Sequence, residues 1–323
     1  MQIATNDAGE MEVQFMRFRK LLSVLLSAVF FVSSMGITAA ATPETVQDKL
    51  GAVEKDTYGT EQTGALIDRI NKLEKDYDGT HRTGSLMARV NAIYNEVYTN
   101  STKPSLLADL NAVEWNIGHE VSMDSVDERV ANLEMDLMGK TGTGTYRERL
   151  TKLSQASFGS AELPLSQVRV PSDTLVKIAL VTPVNSDNLK TGDTIRYQVA
   201  QDVLVDGKLV FAKGLPGEGT VTKVKQARNF GRNAEVQIDF NKTKSIDGTY
   251  VDTYIGEEAK KEMKNLAMAA GASIAGIAIL GPIGVVAGAF VHGKDVNLPA
   301  GTELFIQTKG DATLYGVATT QAK

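Results

Sequence analysis

A twenty-residue period runs through the first half of this chain and restricts its fold more than any other feature. The stretches LGAVEKDTYG (50–59), INKLEKDYDG (70–79), VNAIYNEVYT (90–99), LNAVEWNIGH (110–119), VANLEMDLMG (130–139) and LTKLSQASFG (150–159) each begin 20 residues after the last. Three apolar columns recur with it. Leu66, Leu86, Leu106, Val126 and Tyr146 form the first; Leu50, Ile70, Val90, Leu110, Val130 and Leu150 the second; Val53, Leu73, Ile93, Val113, Leu133 and Leu153 the third. Within a unit the spacing i, i+4, i+7 draws one stripe along a helix. Gly59, Gly79, Gly118, Gly139 and Gly159 fall where left-handed C-caps belong, and Thr60, Thr80 or Ser101 stand ready as N-cap oxygens for the next unit. The expectation is six helices of roughly 11 to 13 residues between about 44 and 159, too short to persist alone in water. They must pack on one another or on a partner.

Charge follows the same period. Arg69, Arg89, Arg129 and Arg149 precede the second column, with Asp109 in the fourth unit, and Glu54, Glu74, Glu114 and Glu134 follow the third. Flanking an apolar stripe, these charges are expected to pair on the solvent side of the helices. Trp115, the sole tryptophan, lies in the most divergent unit and is a candidate partner contact, with internal packing as the other reading. Residues 42–165 carry 13 basic and 20 acidic side chains, which excludes a polyanion as their partner. The net charge of the whole chain, −5, excludes a general nucleic-acid binder. The pattern R-[IVL]-x-x-[LIV]-E…G resembles short tandem repeats of exported, envelope-associated bacterial proteins.

From Met16 the chain reads MRFRKLLSVLLSAVFFVSSMGITAAAT: basic Arg17, Arg19 and Lys20, an apolar run from Leu21 to Val32, then small residues ending in Ala39-Ala40-Ala41. That is the layout of a secretory signal peptide, with cleavage expected after Ala41; an uncleaved membrane anchor is the alternative. Residues 1–15 read as an overlong start. There is no cysteine, which removes disulfides, thiolate metal sites and thiol nucleophiles.

Beyond about residue 160 the period switches from helix to strand. VRVPSDTLVKIALV (168–181), DTIRYQVAQDVLVDGKLVFAKG (193–214), EVQIDF (235–240), NLPAGTELFIQTKG (297–310) and ATLYGV (312–317) alternate, and Asp206-Gly207 and Asp247-Gly248 signal hairpins. VPSDTLVKIAL (170–180) and LPAGTELFIQT (298–308) echo each other as apolar-Pro-x-x-Thr ahead of a strand, and FAKGLPGEGTVTKV (211–224) is a looser copy. Seven or eight strands in a small barrel or sandwich are expected. In this order, interrupted by a Gly-rich apolar insert, the segments from about 166 to 318 resemble the C-terminal β-barrel of the periplasmic channel component of type IV secretion and conjugation machines (TrbI-like). The resemblance implies that fold. The chain departs from the family in its cleavable signal and in lacking a proline-rich spacer.

The insert, AMAAGASIAGIAILGPIGVVAGAF (267–290), has no charge, five glycines and one proline, within an uncharged run from Leu266 to Val291. GEEAKKEMKN before it reads as a charged helix start. The run is long enough to span a bilayer, yet Gly281-Pro282 breaks a helix. Two apolar helices, about 266–280 and 283–291, are expected to meet at that turn, with small residues letting the legs approach. Three readings stay open: a hairpin at or in a bilayer, a hairpin buried in protein, and a single spanning helix. The membrane or assembly contacts would be Gly271, Gly276, Ile279, Gly281, Pro282, Gly284 and Gly288.

Signals for chemistry are few. His81, His119 and His292 share no metal-ligand spacing, and neither a nucleophile elbow nor a phosphate loop is present. Asp202 and Asp206 read as solvated turn acids. The run KVKQARNFGR (223–232) offers Lys223, Lys225, Arg228 and Arg232 to lipid headgroups or an anionic glycan, or is an ordinary loop. The sequence thus predicts an α+β multidomain chain: signal peptide to 41, helical repeats 42–160, linker 161–167, a small antiparallel β-barrel or sandwich 168–318 with an inserted apolar helical hairpin at 266–291, and a tail 319–323. Its expected role is that of a non-catalytic, exported envelope protein without cofactor or metal. It would work in the periplasm or cell envelope, with the outer membrane as a candidate surface. The expected partners are a membrane, an envelope protein or further copies of itself. The alternative is a soluble module holding peptidoglycan or another envelope polymer, with the hairpin as core.

Overall fold

Six helices of 13 residues start 20 residues apart: α1 (Val46–Tyr58), α2 (Leu66–Asp78), α3 (Leu86–Tyr98), α4 (Leu106–Gly118), α5 (Val126–Met138) and α6 (Tyr146–Phe158). In the computed structural model the described residues are 45–226, 234–270, 277–280, 284–288 and 295–319, so the expected signal peptide lies outside them. Left-handed glycines end α1, α2, α5 and α6, whereas α4 ends on His119 at φ 52°, and α3 on an extended Thr99. The N-caps are not Thr60, Thr80 or Ser101, which lie too early in their loops. Thr45, Ser85, Ser105, Ser125 and Thr145, each immediately ahead of its helix, accept the N3 N–H instead; Ala65 gives α2 no side-chain cap.

Thirteen-residue helices cannot stand apart, and these close into a bundle. Helix α1 packs on α3 and α5, α2 on α3 and α6, and α4 on α3, α5 and α6. The second and third columns supply the core, with Leu50, Ile70, Leu73, Ile93, Leu110 and Leu153 fully buried.

The β region holds β1 (Leu165–Val170), β2 (Leu175–Leu180), β3 (Val184–Asn185), β4 (Thr194–Val199), β5 (Val203–Val205), β6 (Lys208–Phe211), β7 (Pro216–Lys225), β8 (Glu235–Lys244) and β9 (Tyr250–Tyr254). Helix α7 (Glu257–Ala270) follows, then β10 (Ile277–Leu280), β11 (Gly284–Gly288), β12 (Asn297–Leu298), β13 (Glu303–Thr308) and β14 (Ala312–Ala318). Six strands close an antiparallel barrel in the order β8-β7-β4-β2-β13-β9, β9 returning to β8. Alternate residues fill it, among them Ile178, Ile195, Tyr197, Val236, Ile238, Phe240 and Ile306. A second sheet, β1-β14-β6-β5, lies beside it, and β3 pairs with β12. Fourteen strands exceed the expected seven or eight: β3, β5 and β12 are only two or three residues long, the insert adds two, and nine longer strands remain. Strand β1 takes in the last three residues of the expected linker.

The sequence echo is structural. Asp173 (φ 63°) and Gly301 (φ 84°) occupy the same left-handed place, and Thr174 and Thr302 each donate to the carbonyl of their proline, Pro171 and Pro299, at 2.8 and 2.7 Å. The strands they launch, β2 and β13, are neighbours.

The insert departs from expectation. Helix α7 stops at Ala270, and where helical legs were expected, β10 and β11 form an antiparallel hairpin with Ile277 opposite Gly288 and Leu280 opposite Val285. Strand β11 then pairs with β8, Gly284 opposite Ile238 through Ala287 opposite Glu235. Two causes act together. Ile277, Ile279, Val285 and Val286 favour strand. Strand β8 also has ten residues but meets β9 only over Lys242 to Lys244, which leaves its first half an open edge.

Candidate functional site

The arginine and glutamate columns meet inside the bundle rather than on its solvent side. Each arginine reaches back 15 residues to the glutamate of the preceding unit. Arg69 forks onto Glu54, Arg89 onto Glu74 and Arg149 onto Glu134, with Nε on one carboxylate oxygen and a terminal nitrogen on the other at 2.5–2.9 Å. Each of these glutamates also accepts a backbone N–H from the loop eight residues on, from Gln62, Arg82 and Gly142. Glu54 and Glu74 are wholly buried. Burial opposes ionisation, but the Arg89 guanidinium and the Arg82 N–H hold the Glu74 carboxyl below its usual range. These nodes are staples between consecutive units. They leave no charged ladder for a ligand.

The staple is missing once, between α3 and α4, where Tyr94 stands for the glutamate and Asp109 for the arginine. There the bundle meets the β region. Asn100 Nδ2 donates to the Asp247 carbonyl at 2.7 Å, Asn111 Nδ2 to the Ile246 carbonyl at 2.9 Å, and Trp115 Nε1 to Asp202 Oδ2 at 2.8 Å. Trp115 and Ala112 belong to the barrel-side core, so the tryptophan lies against this chain's own β region. Asp202, expected to be solvated, also accepts the Lys213 N–H at 2.8 Å, and Val121 N–H bonds the Lys213 carbonyl at 2.9 Å. Asp247 is buried in the β8–β9 turn and accepts from Ser245, Thr249 and the Tyr315 N–H. Asn100 and Asn111 are not singled out by the sequence, and Asp247 stands out there only as a hairpin residue. The joint loss of one arginine and its glutamate is the signal that marks them.

Lys225 Nζ lies 2.6 Å from Glu235 and Lys223 Nζ 3.9 Å from it, so both lysines of the basic run face a carboxylate at the end of β8. Arg228 and Arg232 lie outside the described residues, as do Gly271, Gly276, Gly281, Pro282 and His292. Ile279 is in β10, and Gly284 and Gly288 open and close β11. The hairpin therefore extends the barrel sheet from the end of β8 that carries Glu235. Its outer strand β10 has β11 as its sole neighbour among the described residues. His81 sits 3.7 Å from Glu74 and His119 edges the Trp115 ring at 5.3 Å. No group of metal-ligating side chains, and no helix long and apolar enough to cross a membrane, occurs among the described residues.

No family model matches this chain, and no curated protein matches its sequence. Among solved structures, it is similar to ComB10 of the Com type IV secretion system of Helicobacter pylori, at 14% identity over 44% of this chain and 88% of that one, with a TM-score of 0.24. At that score the likeness is slight, and the functional reading stands on the chain's own residues.

Proposed function

We propose that this chain is a non-catalytic exported envelope protein whose β region seats at a membrane through the apolar hairpin, while the helical bundle meets a partner. The supporting observation is the hairpin's placement. Uncharged strands β10 and β11 prolong the barrel sheet, and among the described residues β10 is an edge whose own residues include neither lysine nor proline to protect it. Such an edge must be covered. In lipid an open strand edge is not tolerated, so insertion and pairing between copies go together in this reading. Strands of four and five residues reach roughly 13–17 Å at about 3.3 Å per residue. A spanning strand needs about 9–11 residues, so the hairpin dips into a leaflet rather than crossing it.

The test is flotation with phospholipid vesicles, comparing residues 42–323 with the same chain lacking 271–291, followed by an alkaline wash. The full chain should float and resist the wash, and the deletion should stay in solution with its Trp115 emission unchanged. Equal behaviour of two folded proteins, floating or not, would remove the membrane role and favour the soluble polymer-binding alternative.

A further inference from the structure

The fourth unit contains a cleft at the place where units one, two and five bring a backbone N–H onto the staple glutamate. In units one, two and five the staple glutamate is saturated: two arginine nitrogens on two oxygens, and a loop N–H eight residues on. In unit four the corresponding donor is Ser122 N–H, and it does not reach Glu114. The Val121–Lys213 bond draws that loop toward the barrel. Arg129 then places both Nε and its terminal nitrogen on the same oxygen, Glu114 Oε2, at 2.9 and 2.5 Å, and Oε1 receives no hydrogen bond among the described residues. Where the loop has peeled away there is a cleft of about 230 Å³. Glu114, Ser122, Arg129 and Asp136 line it, with Ile117 and Leu133 as its apolar wall.

We infer that this cleft binds the side-chain ammonium of a lysine on a partner polypeptide. The Glu114 side chain is 13% exposed, so Oε1 faces solvent, and a charged N–H donor there makes a stronger bond than a neutral one. Asp136 adds a second, exposed carboxylate, while Arg129 is already engaged by Glu114 and Asn111, so the lining presents net negative charge. Ile117 and Leu133 suit the methylene stem that a lysine buries while its head stays polar. The cleft is smaller than the ~300–1,000 Å³ that whole small-molecule ligands occupy, which fits one side chain. Exposed Met123, Met135, Leu137 and Met138 stand in the same loop and helix. Methionine surfaces of this kind accommodate varied polypeptides, which favours a peptide-borne amine over a free one. The inference deepens the partner-binding half of the proposed function and is independent of its membrane half.

Nα-acetyl-lysine N′-methylamide and its norleucine counterpart, titrated into ¹⁵N-labelled residues 42–323, supply the test, read at the amides of Gly118, Ser122 and Asn132. The lysine probe should saturate in the millimolar range and the norleucine probe bind at least roughly tenfold more weakly, a difference of about 1.4 kcal/mol. Asp136→Asn should weaken the lysine probe several-fold. Gly118→Leu should abolish binding by filling the cleft, since a Cβ there meets nothing within 4 Å and the helix is undisturbed. Both variants alter exposed positions, so folding is preserved and checked by the same spectra. Equal shifts from both probes, or shifts that survive Gly118→Leu, overturn the proposal. Butylammonium binding as tightly as the lysine probe would overturn the peptide source. None of these outcomes touches the flotation result.

Discussion

Five of the six units and the fourth answer the same packing problem differently. A regular unit buries one stripe, four or five residues of its thirteen, and leaves the opposite face to water. Helix α4 buries eight, because one face enters the bundle and the other the barrel. Its departures from the period follow from that second contact. Trp115 replaces residues that elsewhere stay wet, Ala112 is buried where Ala52 and Ala92 are not, His119 replaces the capping glycine, and the arginine is lost together with the glutamate it would have met. Divergence in a repeat thus marks an interface, and here the interface is internal. Unit four also leaves one staple incomplete and a cleft open beside it.

The largest effect should come from breaking a complete staple. Glu74→Ala strands a buried Arg89 guanidinium and the Arg82 N–H, and urea denaturation should register a loss of about 3–5 kcal/mol. Glu114→Ala leaves Arg129 with Asn111 just as Glu74→Ala leaves Arg89 with Asn71, but it strands no loop N–H and the carboxylate it removes is less buried, so it should lose at least about 1 kcal/mol less. Equal losses would break the contrast between complete and incomplete staples. Next comes Trp115→Ala, which empties the seam and leaves Asp202 without the indole N–H, for about 3 kcal/mol. Bundle and barrel should then melt in two steps, separable by far-UV and tyrosine near-UV circular dichroism. A single cooperative transition would mean that Asn100 and Asn111 hold the two parts together without the tryptophan.

These contrasts also account for what the sequence made legible. Helix number, length and phase were written in periodic columns, where 3.6-residue geometry leaves one solution. The echo around Pro171 and Pro299 was legible because a left-handed residue and a threonine hydroxyl make a turn that needs no distant partner. The staples were misjudged, since spacing along one helix cannot reveal that Arg89 and Glu74, fifteen residues apart, fold into contact. The insert was misjudged for the converse reason. Its small and glycine-rich composition suits a helix pair in lipid, and it takes the open half of β8, together with the β-branched residues at 277, 279, 285 and 286, to make a strand the better answer. Of the candidate site residues, Trp115 was conspicuous by rarity, while Glu114 looked like one member of a column. The loop N–H that the other staple glutamates receive is held away from it by a bond between Val121 and Lys213, ninety-two positions apart, that no local pattern encodes.

Asp109 gives the comparison a pH dependence. It occupies the arginine's place in a helix pressed on both faces, and burial pushes its carboxyl up to about 7, Lys103 opposing. A folded-state pKa above the unfolded value of ~3.9 means that the folded state holds the proton longer, so stability falls as pH rises between about 4 and 7. With partial exposure discounted, the loss is of order 2 kcal/mol. Asp109→Asn should flatten that limb and stabilise the protein above pH 7, measured as urea midpoints from pH 4 to 8. A slope unchanged in the variant would place its origin in another group.

The smallest effect concerns a regular unit that breaks its own rule. Five helices carry Ser or Thr ahead of their first turn, each accepting the N3 N–H; α2 has Ala65 in that place. The backbone there, φ −66° and ψ 140°, matches Ser85 at φ −67° and ψ 154°, and Ala65 is exposed, so a serine enters without strain. Ala65→Ser should let Oγ accept the Asp68 N–H and raise stability by about 0.5–1 kcal/mol. For a chain of this size that is a rise of about 1–4 °C in Tm. Ser85→Ala should lose a similar amount, since the same bond is removed from α3. If the two changes differ in size, α2 and α3 do not contribute equally to the bundle. The excess on the side of Ser85→Ala would then measure how much more tightly α3, which packs on both α1 and α4, is coupled to the rest.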